Sequence, residues 1–204
     1  MTAYEEILYE VDEGIATITL NRPEKLNALT DLTQAEVRHA LDASERNPDV
    51  VGTVLTGAGR GFCAGVDMNA LSTMSEAGER VGKNHDHLAA SPGNPDDDSN
   101  YHGSPTYFLG LRKPLIAAVN GACAGLGFSF ATFCDMRFMA KDAKIVSSFS
   151  PRGLIAEHGP SWMLPRLVGP SNAIDIFWSS RRVDAEEAHR MGWANRVSEP
   201  GQAA

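Results

Sequence analysis

Cysteine is scarce in this chain of 204 residues: Cys63, Cys123 and Cys134 are an odd set with no CxxC pair. A disulfide framework and a clustered zinc site are therefore not expected, and reduced thiols point to a cytoplasmic protein. Positive charge is also in deficit. Lys and Arg number 18 against 26 acids, giving a net charge of −8 and a pI near 5.2. Nucleic acid and anionic membranes both attract a positive face, so neither is expected as a partner. Long apolar runs are missing too. "PLIAAV" is far shorter than the roughly 20 residues that span a bilayer. The opening "MTAYEEILYEVDEG" places acids where a secretory signal needs basic residues.

What is present suffices for a core. At 43% hydrophobic, residues 1–204 read as a single domain. "ILYEVD" and "IATITL" predict two strands about the turn Asp12-Glu13-Gly14. Thr30 and Asp31 open a helix that ends before Pro48. "VVGTVLTG" and "KPLIAAVNG" read as buried strands, "AGLGFSFATF" as a small-residue helix, and "MRFMA" and "AKIVSSF" as further strands. "SWMLPRLVG", "SNAIDIFWSS" and "DAEEAHRMG" read as helices before a last strand in "ANRVSE". Residues 72–104, with "SPGNPDDDSN", are expected to form a flexible loop or helix region. Strands and helices alternate, which predicts an α/β layered fold with mostly parallel pairing.

Two glycine-rich loops follow apolar strands, in "GTVLTGAGRGFCAGVDM" and "AAVNGACAGLGFSF". Neither has the GxGxxG spacing of a dinucleotide site. Both offer unobstructed backbone N–H groups at helix starts, and two such donors converging would stabilise an oxyanion on a thioester carbonyl. Tight turns and close helix–sheet packing would account for the same glycines.

These motifs, with "CDMRF" and "PRLVG…AEEAHRMGWANRV", resemble the crotonase superfamily, the enoyl-CoA hydratases and isomerases, from about residue 5 to about residue 198. The resemblance implies a crotonase-like (ClpP/crotonase) spiral of ββα units and acyl-CoA substrates. It also implies an enolate-like intermediate and assembly as homotrimers or hexamers. Coenzyme A would arrive as part of the substrate, with no separate cofactor and no metal. The oxyanion donors would be the backbone N–H groups of Val66 and Leu126. Ala64, Asp67 and Met68 fall in the segment lining the CoA channel, and Lys25 beside "RPEKLNAL" would meet a CoA phosphate or be a solvated surface lysine. Family members continue for several dozen residues beyond the last strand, whereas this sequence ends at "SEPGQAA", so the C-terminal helical region is expected to be short or absent.

The resemblance also exposes a departure. Hydratases of the family hold water between two glutamates, and the corresponding positions here are Ser129 and Phe149. Glu157 is the remaining acid, in "GLIAEHGPSWML", at a place resembling the proton-moving aspartate of dienoyl-CoA isomerases. It would sit in an apolar pocket and serve as acid/base, with Ser129 positioning water or a substrate hydroxyl. His158 would orient Glu157 or point elsewhere. Capping of the helix near Gly159-Pro160 would explain the same glutamate. Two other readings stay open: a serine or CoA-thioester hydrolase built on Ser129 within "GFSFA", and a non-catalytic acyl-CoA-binding protein. "HDH" at His85–His87 and "DDD" at Asp96–Asp98 read as solvated loop rather than metal site, and Trp162, Phe177 and Trp178 as core or subunit contact.

Overall fold

Two short strands, the second β-branched and alternating, form the edge of the main sheet in this computed structural model, which describes residues 4–67, 85–94, 96 and 102–203. β1 (Ile7–Asp12) and β2 (Ile15–Leu20) pair antiparallel, and the turn between them takes positive φ at both Glu13 and Gly14. That geometry matches the twist of the flanking strands. Ala16, Ile18 and Leu20 alternate onto one face and are buried against α1 (Asp31–Arg46). Thr30 caps α1 by accepting from the Thr33 N–H at 3.0 Å, and Thr33 returns the bond to the Thr30 N–H at 3.2 Å. Four donors lack partners in a helix's first turn, and this reciprocal box satisfies two of them.

The chain then repeats one unit. β3 (Gly52–Gly57) enters the main sheet and β4 (Gly61–Cys63) turns into a second sheet. β5 (Leu115–Val119) and β6 (Ala122–Ala124) do the same and lead into α2 (Leu126–Phe133). β7 (Met136–Ala140) and β8 (Lys144–Val146) follow. Near the end, β9 (Val183–Asp184) and β10 (Arg196–Ser198) complete two sheets of order β1-β2-β3-β5-β7-β10 and β4-β6-β8-β9. Apart from β1–β2 and β8–β9, every pairing is parallel, as the alternation of elements predicts.

α3 (Pro160–Val168), α4 (Pro170–Ser179) and α5 (Ala185–Arg190) close the described chain. Arg181 joins α4 to α5 by pairing with both Asp175 and Glu187 at 2.7 Å. Buried Trp193 stacks on Phe128 of α2 and donates its indole N–H to Thr132 Oγ1 at 3.1 Å. Arg137, also buried, donates to the carbonyls of Trp193 and Cys134. The end of the described chain therefore grips the helix that carries the second glycine loop.

One expectation changes and another narrows. Within the stretch expected to be flexible, residues 85–94 are tied to α1: Leu88 is buried, Arg38 Nε donates to the Ala90 carbonyl, and Glu45 accepts from the Gly93 N–H at 2.6 Å. Burying one leucine and satisfying these backbone groups offsets the entropy cost that a polar composition suggested would win. Of the aromatic residues expected as core or subunit contact, Trp162 and Trp178 fall outside the core, at 48% and 77% exposed, which leaves subunit contact. Arg166 covers the Trp162 ring at 3.9 Å.

Candidate functional site

The "NRPEKLNAL" segment acts as a stitch along the first glycine loop. Asn27 donates from one amide nitrogen to the carbonyls of Ala58 and Gly61, and the Ala64 N–H donates to the Leu26 carbonyl at 2.9 Å. Further on, Leu29 forms an isolated parallel bridge with Val66. The Leu29 N–H donates to Gly65 O at 2.7 Å, and the Asp67 N–H donates to Leu29 O at 2.9 Å. In a parallel bridge the residue opposite uses its neighbours' groups, so its own N–H and C=O point the other way. The Val66 N–H therefore faces away from Leu29.

On that other side stands the start of α2. Gly65 has φ +104, and a Cβ there would lie 3.1 Å from the Ala124 carbonyl and 3.5 Å from the Leu126 nitrogen. The two glycine loops thus face each other in backbone contact, which only a residue without a side chain allows. Leu126 is the first residue of α2 and follows Gly125 at φ +52. Its N–H has no carbonyl one turn earlier to bond, so it is a free donor at the positive end of a helix. Both donors are backbone groups, so their own side chains set no limit on the arrangement.

The side chains predicted for the site are placed as follows. Asp67 is 8% exposed and pairs with Arg22, its Oδ2 accepting from Nη2 at 3.0 Å. Ala64 is half-buried beside it, and Lys25 is exposed on the turn Pro23–Lys25. Met68 lies outside the described residues, as do Asp97 and Asp98. Ser129 has no exposed surface, and its hydroxyl leans back on the Gly125 carbonyl at 3.4 Å. A serine so enclosed has no approach for an acyl group, which removes support from the hydrolase reading. Phe149 is buried at 5% exposure and packs against Phe177. The two places where a water-holding acid is expected therefore hold an enclosed hydroxyl and an apolar ring, and neither moves a proton from carbon.

Glu157 differs from expectation in its surroundings. Its side chain is 44% exposed rather than enclosed by apolar residues. It does not cap α3 either: Gly159 stands at the N-cap and no side chain bonds there. His158 adopts φ +61, and its Nε2 lies 3.7 Å from Glu157 Oε1, within ion-pair reach but too long for a hydrogen bond. Two residues on, Gly159 rests on the Phe133 ring of α2, where a Cβ would fall 2.7 Å from Cζ. This contact seats the glutamate-bearing turn on the helix that carries Leu126.

Sequence reading passed over Arg22, which proves to be the charged centre of the first loop. Nη1 donates to the Ala28 carbonyl at 2.6 Å, Nη2 to Asp67, and Nε lies 3.3 Å from Glu6 Oε1. Among the described residues no group of three or more His, Cys, Asp or Glu is placed to hold a metal ion, and no helix is long and apolar enough to cross a membrane.

The architecture is a double-layered ββα repeat with two facing glycine loops, and comparison with known proteins gives the family. The enoyl-CoA hydratase/isomerase family model matches residues 10–202, and the chain belongs to that family. It is 37% identical over 189 residues to the 1,2-epoxyphenylacetyl-CoA isomerase of Escherichia coli, covering 92% of this chain and 68% of that protein. It is 37% identical over 202 residues to the probable enoyl-CoA hydratase EchA14 of Mycobacterium tuberculosis, covering 98% of this chain and 72% of that one. Among solved structures, the enoyl-CoA hydratase EchA12_1 of Mycobacterium marinum superposes with a TM-score of 0.74 at 39% identity, covering 97% of this chain and 82% of that chain. The fold is crotonase-like, and the protein is an acyl-CoA-processing enzyme of hydratase/isomerase type.

Proposed function

We propose that this enzyme shifts a carbon–carbon double bond in an enoyl-CoA thioester, with Glu157 moving the proton. The facing loops support the reading: a Cβ on Gly65 would fall 3.5 Å from the Leu126 nitrogen, and the Val66 N–H, next in the chain, points away from Leu29. A thioester oxygen held there gains two donors as negative charge develops on it, and one such donor is worth about 10²- to 10³-fold in rate. Glu157 takes a proton from the α carbon, and the C–H electron pair passes into a dienolate ending on that oxygen. The same carboxyl group returns the proton at the γ carbon, so the double bond moves and no co-reactant is consumed. An acyl chain lying across Glu157 shields it from water.

Isomerisation is favoured over hydration by the side chains at Ser129 and Phe149. Hydration needs a positioned water between an acid and a base, and these two residues supply neither. Ala64, Asp67 and Met68 would line the CoA channel and Lys25 would meet a phosphate, with coenzyme A belonging to the substrate and no other cofactor. A cytoplasmic location fits three free thiols. Trimers or hexamers fit the apolar side chains left exposed at Ile155, Trp162 and Trp178.

The test is a panel of 2-enoyl-, 3-enoyl- and dienoyl-CoA thioesters, with products resolved by mass and chromatography. A product of unchanged mass and a shifted double bond is expected, with Glu157→Gln slower by at least about 10²-fold at nearly unchanged affinity. A gain of 18 mass units that survives in Glu157→Gln would instead mean hydration by other groups. Binding of every thioester without turnover would leave the protein an acyl-CoA binder.

A further inference from the structure

The first glycine loop is held by a chain of charges that ends far from the thioester. Asp67 follows Val66 directly, and its carboxylate is joined to Arg22, which is joined in turn to Glu6. Glu6 Oε2 accepts from the hydroxyls of Thr30, at 2.5 Å, and of Thr33, the pair that caps α1. The third arm of Arg22 donates to the carbonyl of Ala28, the residue before Leu29, whose bridge orients Val66. Arg22, Glu6 and Asp67 have side-chain exposures of only 17%, 18% and 10%. One guanidinium therefore touches both strands of the bridge, Ala28 on one side and Asp67 on the other, and anchors them to a helix terminus. A planar fork with five donors suits this three-way grip; an ammonium cannot copy it.

We infer that Arg22 is a positioning residue that aims the Val66 N–H at the substrate carbonyl by clamping Asp67 and Ala28 on either side of the Leu29–Val66 bridge. The inference rests on the oxyanion reading above. It adds that the aim of this donor depends on a side chain that touches no part of the substrate. Hydrogen-bond strength falls steeply with misalignment, so a loosened bridge weakens the donor before it disturbs the fold. Arg22 is not among the residues assigned to the CoA channel, so its loss should disturb carbonyl polarisation more than affinity. Affinity and carbonyl polarisation should therefore separate.

The experiment uses butyryl-CoA labelled with ¹³C at the thioester carbonyl, a saturated probe with no double bond to move, read by isotope-edited infrared difference spectroscopy on the whole protein. Bound to the wild type, the C=O stretch should lie below its position in water. In Arg22→Gln the lowering should shrink by half or more, with Arg22→Lys between the two, while the Kd for butyryl-CoA changes by less than about fivefold. Turnover of the isomerised thioester should fall by roughly 10- to 100-fold in Arg22→Gln, the scale of a misplaced catalytic group. Asp67→Asn, which keeps the shape and an acceptor, should reproduce part of the loss and carries the test if Arg22→Gln does not fold. A variant stretch equal to that of the wild type, with the wild type clearly lowered, would overturn the clamp and leave the oxyanion reading standing. A wild-type stretch no lower than in water would overturn the oxyanion reading and the clamp with it.

Discussion

Cys63 loses all contact with water two residues before Gly65, and burial lifts its thiol from the ordinary 9.0 to about 12. Cys123, opposite it on β6, and Cys134, after α2, are raised by burial as well; the neighbouring thiols add to the rise at Cys123, while at Cys134 Arg137 opposes it and Asp135 adds to it. In the unfolded chain these thiols ionise near 9; in the folded protein they keep their protons well beyond it. Their contribution to stability is thus complete below pH 9 and is lost as the pH rises towards 12, because deprotonation favours the unfolded state. The slope reaches up to about 1.4 kcal/mol per pH unit for each thiol. Tyr4 and Tyr107, also raised by burial from 10.0, join only above pH 10. Urea midpoints at pH 7.5, 9 and 10 should fall across the last interval, and less so in Cys123→Ala. A midpoint unchanged to pH 10 would mean that water reaches the thiols in the folded protein.

At the scale of elements, legibility followed length and period. The alternation of "IATITL", the capping residues Thr30 and Asp31, and the breaks at glycine and proline located β2, α1, α3 and α4 closely. β4 and β6 escaped because they lie inside the glycine-rich loops, and β9 because it has only two residues. That second sheet is what brings the two glycine loops together, so the donors proposed at Val66 and Leu126 came only from motif likeness. Arg22 escaped for a related reason, since its partners Asp67 and Glu6 are distant in sequence and meet only across β2 and the bridge. The crossing of α2 over β4 gives a test. A Cβ on Gly127 would fall 2.5 Å from both the Cβ and the carbonyl oxygen of Cys63. Alanine normally favours a helix over glycine by about 1 kcal/mol, yet here backbone must move. Gly127→Ala should lose about 1–3 kcal/mol in urea unfolding and weaken butyryl-CoA binding, because Leu126 moves with the helix. Gly153→Ala, strained by φ +67 but with nothing within 4 Å of its Cβ, should cost stability yet leave binding intact. Equal binding in both variants would detach the α2 crossing from the site.

On the scale of the whole molecule, the described surface is apolar where the glutamate-bearing turn meets the end of α4. Ser150 donates to the Trp178 carbonyl at 3.0 Å, which places the turn containing Leu154 and Ile155 beside that tryptophan. Leu154, Ile155 and Trp178 are 43%, 81% and 77% exposed. Each large apolar side chain left in water forgoes roughly 1.5–3 kcal/mol of burial, so three adjacent ones favour a covering surface. If copies of the chain supply it, Glu157, two residues past Ile155, becomes drier on assembly, and activity should depend on protein concentration. Sedimentation velocity from about 0.1 to 50 μM should then show a species larger than 21.9 kDa, with specific activity rising as it forms. Trp178→Glu should shift that transition to higher concentration by tenfold or more, since a buried charge opposes the contact. A monomer across the whole range with constant specific activity would sink the assembly, and Glu157 would then have only the acyl chain to shield it.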